Sequence, residues 1–239
     1  MTELSNAAVF NSAHDDVFAR IAGRYDRLCD IFSLGIHRLW KAQMARRMAS
    51  HVGDVVLDVA SGTGDIPWRL LRRGSSAREI WVTDQCPEML AMAEMKLAAH
   101  RGKVRIAQRN AEDLHEVASN SVDLYSISFG MKICDRAKVV AEAFRVLKPG
   151  GTFYCLEAAR IPVPIVHALY LRYMDWCLPV IGWFAAEGDR SAYDYLLRGV
   201  HGFPEQRAFA AELQAAGFSG VSYRNLTFGI VALHEGTKP

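Results

Sequence analysis

The sequence predicts an α/β protein built on a mostly parallel sheet. Three observations carry this. Strand and helix signals alternate from Val55 to Glu157, the pattern of parallel strands joined by helical crossovers. The first strand, Val55–Asp58, runs through a small-residue turn with two glycines, Gly62 and Gly64, into the amphipathic run Ile66–Leu71. The chain then closes with two strand signals, Val221–Leu226 and Phe228–Leu233 around a turn near Thr227, which read as an antiparallel hairpin on the sheet edge.

The bounds are those of a globular enzyme. A chain of 239 residues buries a sizeable core and is expected to form one domain over 1–239. Hydrophobic residues make up 51% and charged residues 23%, as in ordinary globular domains. A net charge of +2 gives no reason to expect nucleic acid as a partner. The five cysteines are scattered, with no C-x-x-C, so neither a zinc site nor a disulfide framework is expected, and no other metal-ligand cluster stands out. Met1–Asn6 lacks the basic and apolar regions of a secretory signal. The expected setting is the cytoplasm.

Taken in order, residues 7–24 read as a helix with Val17, Phe18, Ile21 and Ala22 on one face. A new segment starts at Tyr25, and Ile36–Met48 is amphipathic with Trp40, Met44 and Met48 inward. Residues 1–53 are expected to form a helical cover over the ligand edge. Strands follow at Val55–Asp58, Ile80–Asp84, Val104–Gln108, Val122–Ile127 and Thr152–Glu157. Helix Pro87–Ala99 opens on a proline that costs little in a first turn. Helix Arg136–Leu147 ends at the turn Lys148–Gly151. Residues 161–186 are apolar and broken by prolines; Arg172, Asp175 and Gly182 argue against a membrane span. This stretch reads either as a pair of core helices or, extended to 200, as a lid over an apolar pocket. A polar helix is expected at 189–199 and another at Gln206–Ala216.

The glycine turn suits a ligand. Its glycines let backbone approach closely, and the helix behind it presents free N–H groups, so a nucleotide-like molecule carrying a carboxylate or phosphate fits. Asp84 ends the second strand twenty residues past Gly64, about where dinucleotide folds place a ribose-binding carboxylate. The NAD pattern G-x-G-x-x-G/A fails in both frames, at Ala60 and at Pro67.

The combination D-V-A-S-G-T-G, V-T-D and N-A-E-D resembles the S-adenosylmethionine (SAM) site of class I methyltransferases. By that resemblance the turn Ser61, Gly62, Thr63 and Gly64 faces the methionine end, Asp84 holds the ribose hydroxyls and the Asn110–Asp113 turn, with Ala111 and Glu112, flanks adenine. Asp58, Gln85 and Ser126 complete the cofactor set. The flanks are more specific. Tyr25–Trp40, Arg145–Gly151 with Glu157, and Asn225–His234 resemble the signatures of the ubiquinone/menaquinone biosynthesis C-methyltransferases, and the likeness runs from about Phe18 to Lys238. It implies a seven-stranded SAM-methyltransferase fold, S-adenosylhomocysteine as coproduct, and methylation of a ring carbon of a prenylated quinol. An apolar small-molecule acceptor leaves room for peripheral membrane contact, and a homodimer is compatible.

The chain also departs from that family. Asp30 replaces the usual asparagine, and the F-G-x-R-N segment reads Phe129-Gly130-Met131-Lys132-Ile133. Lysine lacks the planar donor fork of arginine, and isoleucine has no polar group. Ala158-Ala159 stands for Phe-Ser, and Arg198–Gly202 for a serine-containing turn. The pattern suits a paralogue with another acceptor, so a secondary-metabolite or isoprenoid C-methyltransferase and a SAM-binding protein without transferase activity stand as alternatives. Carbon methylation needs a base. The candidates are Lys132, which would need a depressed pKa, and His201, which titrates near neutrality. Tyr25, within the N-terminal signature, is a third catalytic candidate that could instead fix the cover.

Overall fold

The computed structural model describes residues 17–51, 53–185 and 202–239, with 177–185 as backbone only. Seven strands form one sheet: β1 Val55–Val59, β2 Glu79–Asp84, β3 Val104–Gln108, β4 Val122–Ser128, β5 Leu147–Ala158, β6 Ser219–Leu226 and β7 Val231–Thr237. Their order is β3-β2-β1-β4-β5-β7-β6. The first five are parallel, and β7 enters antiparallel between β5 and the edge strand β6. The chain leaves β1 on one side for β2 and returns on the other for β4. This switch point is where open α/β sheets bind ligands, beyond the strands' carboxyl ends.

β1 is buried along its whole length, as expected for a strand covered on both faces. Its side chains alternate. Val55, Leu57 and Val59 join a core with Tyr125, Phe153 and Phe209, under helices α6 (Arg136–Val146) and α8 (Gln206–Ala215). Val56 joins the opposite core with Met44, Met48, Ile66 and Leu70, under α3 (His37–Met48), α4 (Asp65–Arg72) and α5 (Pro87–Leu97). The inward set foreseen for α3, Trp40, Met44 and Met48, is buried as expected. Caps explain two helix starts: Asp135 accepts from the N–H groups of Ala137 and Lys138 to open α6, and Pro87 opens α5.

The described part of 7–24 is helical as expected, α1 (Val17–Ile21) with a 3₁₀ turn to Arg24, and the new segment at Tyr25 is α2 (Tyr25–Ser33). Three local expectations change. Lys148–Gly151 does not end a helix ahead of a strand; it lies inside β5 as a bulge, where Val122 pairs with Leu147 but Leu124 with Thr152. Phe228 is not in a strand: it sits in a left-handed turn at φ 58 and is 89% exposed, so β7 starts only at Val231. The backbone over 164–185 is one helix, α7 (Pro164–Ala185), not a pair of core helices. Ile165, Leu169 and Trp176 are exposed on it, because the sheet is already covered on both faces. Among the described residues no helix is long and apolar enough to cross a membrane. The expected helix at 189–199 lies outside the described residues.

The ends of β1 and β4 approach closely. A β-carbon on Gly130 would stand 2.6 Å from that of Ala60, and both Ala60 and Phe129 already hold left-handed backbone, at φ 45 and 60. Gly130→Ala should therefore destabilise the fold by about 1–3 kcal/mol, as overpacked sites do, read from the denaturation midpoint at constant slope.

Candidate active site

A cleft open to solvent lies across the carboxyl ends of β3, β2, β1 and β4. Its wall includes Phe18 and Tyr25 from the N-terminal helices, Gly62 from the β1 turn, Asp84, Gln85 and Cys86 after β2, Arg109–Glu112 after β3, and Ser128–Gly130, Ile133 and Cys134 after β4.

The β1 turn and the β2 end are joined by one carboxylate. Asp84 Oδ2 accepts from the Gly62 N–H at 2.8 Å, and Oδ1 from the Cys86 N–H at 2.9 Å. Burial raises the Asp84 carboxyl above its usual range, and these backbone donors oppose the rise. Gly62 holds φ 55, and a β-carbon there would point toward the Tyr25 ring 4.0 Å away, into the cleft. Asn110 Oδ1 accepts from the Glu112 N–H at 2.9 Å, which shapes the turn after β3. Glu112 Oε1 accepts from the Asp135 N–H at 2.8 Å and so ties that turn to the segment after β4.

Of the residues expected at the cofactor, Gly62, Asp84, Gln85, Asn110, Ala111 and Glu112 line the cleft together, with Tyr25 opposite. Asp58, Ser61, Thr63, Gly64 and Ser126 are not in the wall; they lie beneath it or behind it. Ser61 donates to the Asp58 carbonyl at 2.7 Å and accepts from the Thr83 N–H at 3.2 Å, bracing the turn from below. Gly64, at φ 73, opens α4 against Ala93 and Leu97 of α5. Thr63 is buried and donates to Asp26. Asp58 is buried, and its Oδ1 accepts from Ser126 Oγ at 2.5 Å, across the paired strands β1 and β4.

The catalytic candidates separate. The Lys132 ammonium is 3.1 Å from Glu157 Oε1 and also donates to the Phe129 carbonyl. Its side chain is only 3% exposed, and that of Glu157 is fully buried. Lys132 is thus spent on a buried ion pair at the end of β5, not aimed into the cleft. Tyr25 lines the cleft, but the neighbouring Cys29 and burial hold its phenol well above the usual range, so it keeps its proton. His201 lies outside the described residues.

Sequence reasoning missed Phe18, Cys86, Met89, Arg109 and Ser128 in the wall. Ser128 had a signal: it lies two residues beyond Ser126 on the same face of β4. Its Oγ is buried without a hydrogen-bond partner. Burial pushes the Cys86 and Cys134 thiols up to about 11 and about 12, so both act as neutral lining. Lys41, inside α3, is buried against Asp65 at 3.2 Å; nothing in the helical pattern marks it.

The match to known proteins decides the family. A model of the ubiE/COQ5 methyltransferase family matches residues 6–238. The chain belongs to the UbiE/COQ5 methyltransferase family. It is 42% identical to the ubiquinone/menaquinone biosynthesis C-methyltransferase UbiE of Paracoccus denitrificans, over 93% of this chain and 89% of that one. It is 39% identical to the mitochondrial 2-methoxy-6-polyprenyl-1,4-benzoquinol methylase of Schizosaccharomyces pombe, over 93% and 78% of the two chains. A SAM-dependent methyltransferase of Thermotoga maritima shares the fold, with a TM-score of 0.64 at 16% identity over 93% of this chain and 98% of that one. The chain is therefore a methyltransferase of the SAM-dependent fold, and the seven-stranded sheet with its closing antiparallel hairpin is that fold.

Beneath the methyltransferase cleft, burial pushes the Asp58 carboxyl up to about 7, against the opposing Ser126 hydroxyl. In the unfolded chain it ionises near pH 4. The folded protein therefore keeps a proton that the unfolded chain loses between about pH 4 and 7. The stabilisation is complete below that window and is lost as pH rises through it. Asp58→Asn stays neutral throughout. Without cofactor, the stability of wild type relative to Asp58→Asn should fall by roughly 4 kcal/mol from pH 4 to pH 7 and stay level above it. Urea denaturation across that range checks the sign.

Proposed function

We propose that this methyltransferase transfers the methyl group of SAM to a ring carbon of a prenylated quinol or a closely related apolar acceptor. The observation that carries the reading is how the cleft wall changes across the sheet. At β3 and β2 it offers Asn110 and Asp84; past β4 it offers Phe129, Ile133 and Cys134. The first side suits a nucleoside, the second an apolar ring. The names of the quinone-pathway relatives favour the same acceptor class.

The residues fit the cofactor. Asp84 lines the cleft and keeps acceptor capacity beyond the bonds from Gly62 and Cys86, which suits a ribose hydroxyl. Ser128 Oγ is an unpartnered group at the switch point, and the left-handed Gly62 leaves the space that a side chain would fill. SAM when bound supplies a methyl on a sulfonium, open to in-line attack. The chain's own part is alignment, which can contribute several kcal/mol. Tyr25, holding its proton, is a hydrogen-bond donor on the wall and not a base. With Lys132 neutralised by Glu157, His201 is the base we assign.

The acceptor enters, in this reading, beneath a lid that includes α7; the rest of the expected lid, 186–200, lies outside the described residues. The exposed Ile165, Leu169 and Trp176 of α7, beside α2, support it. Such side chains also favour peripheral contact with a bilayer, where a prenylated quinol resides.

Two measurements test the assignment. Asp84→Ala should weaken SAM binding about tenfold or more, since hydrogen bonds to a carboxylate contribute roughly 1.5–3 kcal/mol. Unchanged affinity by calorimetry removes Asp84 from the site. The double change Lys132→Arg with Ile133→Asn puts a polar group into the cleft wall at 133, while 132 keeps a cation for Glu157. It should raise kcat/KM on a prenylated demethyl-quinol and lower it on the native acceptor, since hydrogen-bonding sites discriminate sharply. Efficient turnover of the demethyl-quinol by the unmodified protein, unaltered by the double change, sinks the divergent-acceptor reading and leaves the plain quinol assignment.

A further inference from the structure

The N-terminal helices form part of the cleft wall yet share little of the protein's core. Val17, Ile21 and Leu28 make a small apolar cluster with Phe18, Tyr25 and Phe32, separate from the two clusters that sandwich the sheet. The far end of this unit is well anchored. The chain turns from α2 into α3 through left-handed Leu34 and Gly35. Asp30 there holds Arg38 through two hydrogen bonds of 2.5 Å, and Ser33 bonds the His37 ring at 2.7 Å. Helix α3 is itself sunk into the sheet core by Trp40, Met44 and Met48.

The near end, which carries Tyr25 over the cleft, is held differently. Three polar groups from three elements meet there. Thr63 Oγ1, in the glycine turn, donates to Asp26 Oδ1 at 2.8 Å. Lys96 Nζ, on α5, donates to Asp26 Oδ2 and to Thr63 Oγ1, both at 2.7 Å. Asp26 adjoins Tyr25 in sequence, and Thr63 adjoins Gly62, so the cluster lies directly behind the two cleft-wall residues that face each other. Each member engages both others. The loss of any one leaves the other pair without its shared charge or its bridging hydroxyl. The ion pair is partly open to water, with 22% of the Lys96 and 46% of the Asp26 side chain exposed. It can therefore break and re-form at a modest cost.

We propose that Asp26, Thr63 and Lys96 form a latch that pins the N-terminal helices over the cleft and so sets how long the cofactor stays bound. Asp26 and Lys96 are then positioning residues: neither lines the cleft, and both act through Tyr25 and the glycine turn. Because α2 is anchored at its α3 end, opening the latch frees the Tyr25 end first and uncovers the ligand. The inference rests on the SAM reading of the cleft but assigns a role that reading does not contain.

The test uses the full chain and S-adenosylhomocysteine as the probe. Lys96→Met removes the charge that bridges Asp26 and Thr63; Lys96→Arg keeps a cation. The release rate, from a rapid chase of labelled ligand, should rise about fivefold to tenfold in Lys96→Met, the loss expected for one partly exposed charged network. Association should stay within twofold, and Lys96→Arg should return release to near the wild-type rate. Without ligand, amide exchange over 17–33 should quicken in Lys96→Met while exchange over α3 is unchanged. Asp26→Asn, which keeps an acceptor for Thr63, should fall between wild type and Lys96→Met. A lower melting temperature with wild-type release and exchange would reduce the cluster to plain structural support and overturn the latch. Failure of the wild type to bind S-adenosylhomocysteine would defeat the SAM reading, and unchanged exchange over 17–33 would then still overturn the pinning.

Discussion

The cleft depends on the Asp84 carboxylate being held in place by backbone. Two strands end side by side, and each must turn away from the sheet to make room for a ligand. The turn after β1 offers the Gly62 N–H and the turn after β2 offers the Cys86 N–H; one carboxylate accepts both. This cross-tie keeps the two turns in register without any side chain filling the space above them. Burial raises the carboxyl above its usual range, and the backbone donors oppose that rise. Remove the carboxylate and the two turns lose their common partner.

Beneath this surface the charges follow one rule, that a buried charge has a partner. Lys132 has Glu157 at 3.1 Å, and Lys41 has Asp65 at 3.2 Å. Burial opposes ionisation of Asp65, but Lys41 and Arg69 outweigh it and hold its carboxyl down at about 2. Asp58 is the contrasting case. It is buried with a hydroxyl as its near partner, and burial wins, pushing the carboxyl up to about 7. Two aspartates seven residues apart are thus shifted in opposite directions, because Asp65 pairs directly with Lys41 while burial dominates at Asp58.

The pairing of Lys132 with Glu157 also changes how the altered acceptor segment is understood. From the sequence alone, lysine in place of arginine looks like a weakened substrate contact. In the fold it turns inward, and the side chain left in the cleft wall from this stretch is Ile133, flanked by Phe129 and Cys134. The change that alters the cleft wall is the loss of the polar group at 133, while Lys132 lies beneath it, paired with Glu157.

Much of this molecule was legible in sequence because the signals are local. A strand of β-branched residues, a glycine turn and an amphipathic helix depend on neighbours a few positions apart, so β1 to β4, the helix starts and the acid at the end of β2 could be read directly. Motif likeness added the family and the cofactor class. Tertiary structure decided what depends on residues distant in sequence. Asp58 and Ser126 read as ligand contacts, yet strand pairing puts them face to face under the floor. Thr63 reads as part of the cofactor turn, yet its hydroxyl is taken by Asp26 and Lys96, 37 and 33 residues away. Ser128 differs from Ser126 only in its place along β4, and the exposed apolar face of α7 has the composition of a core helix. Periodicity states which residues share a face; what lies opposite that face is set by the packing of the whole chain.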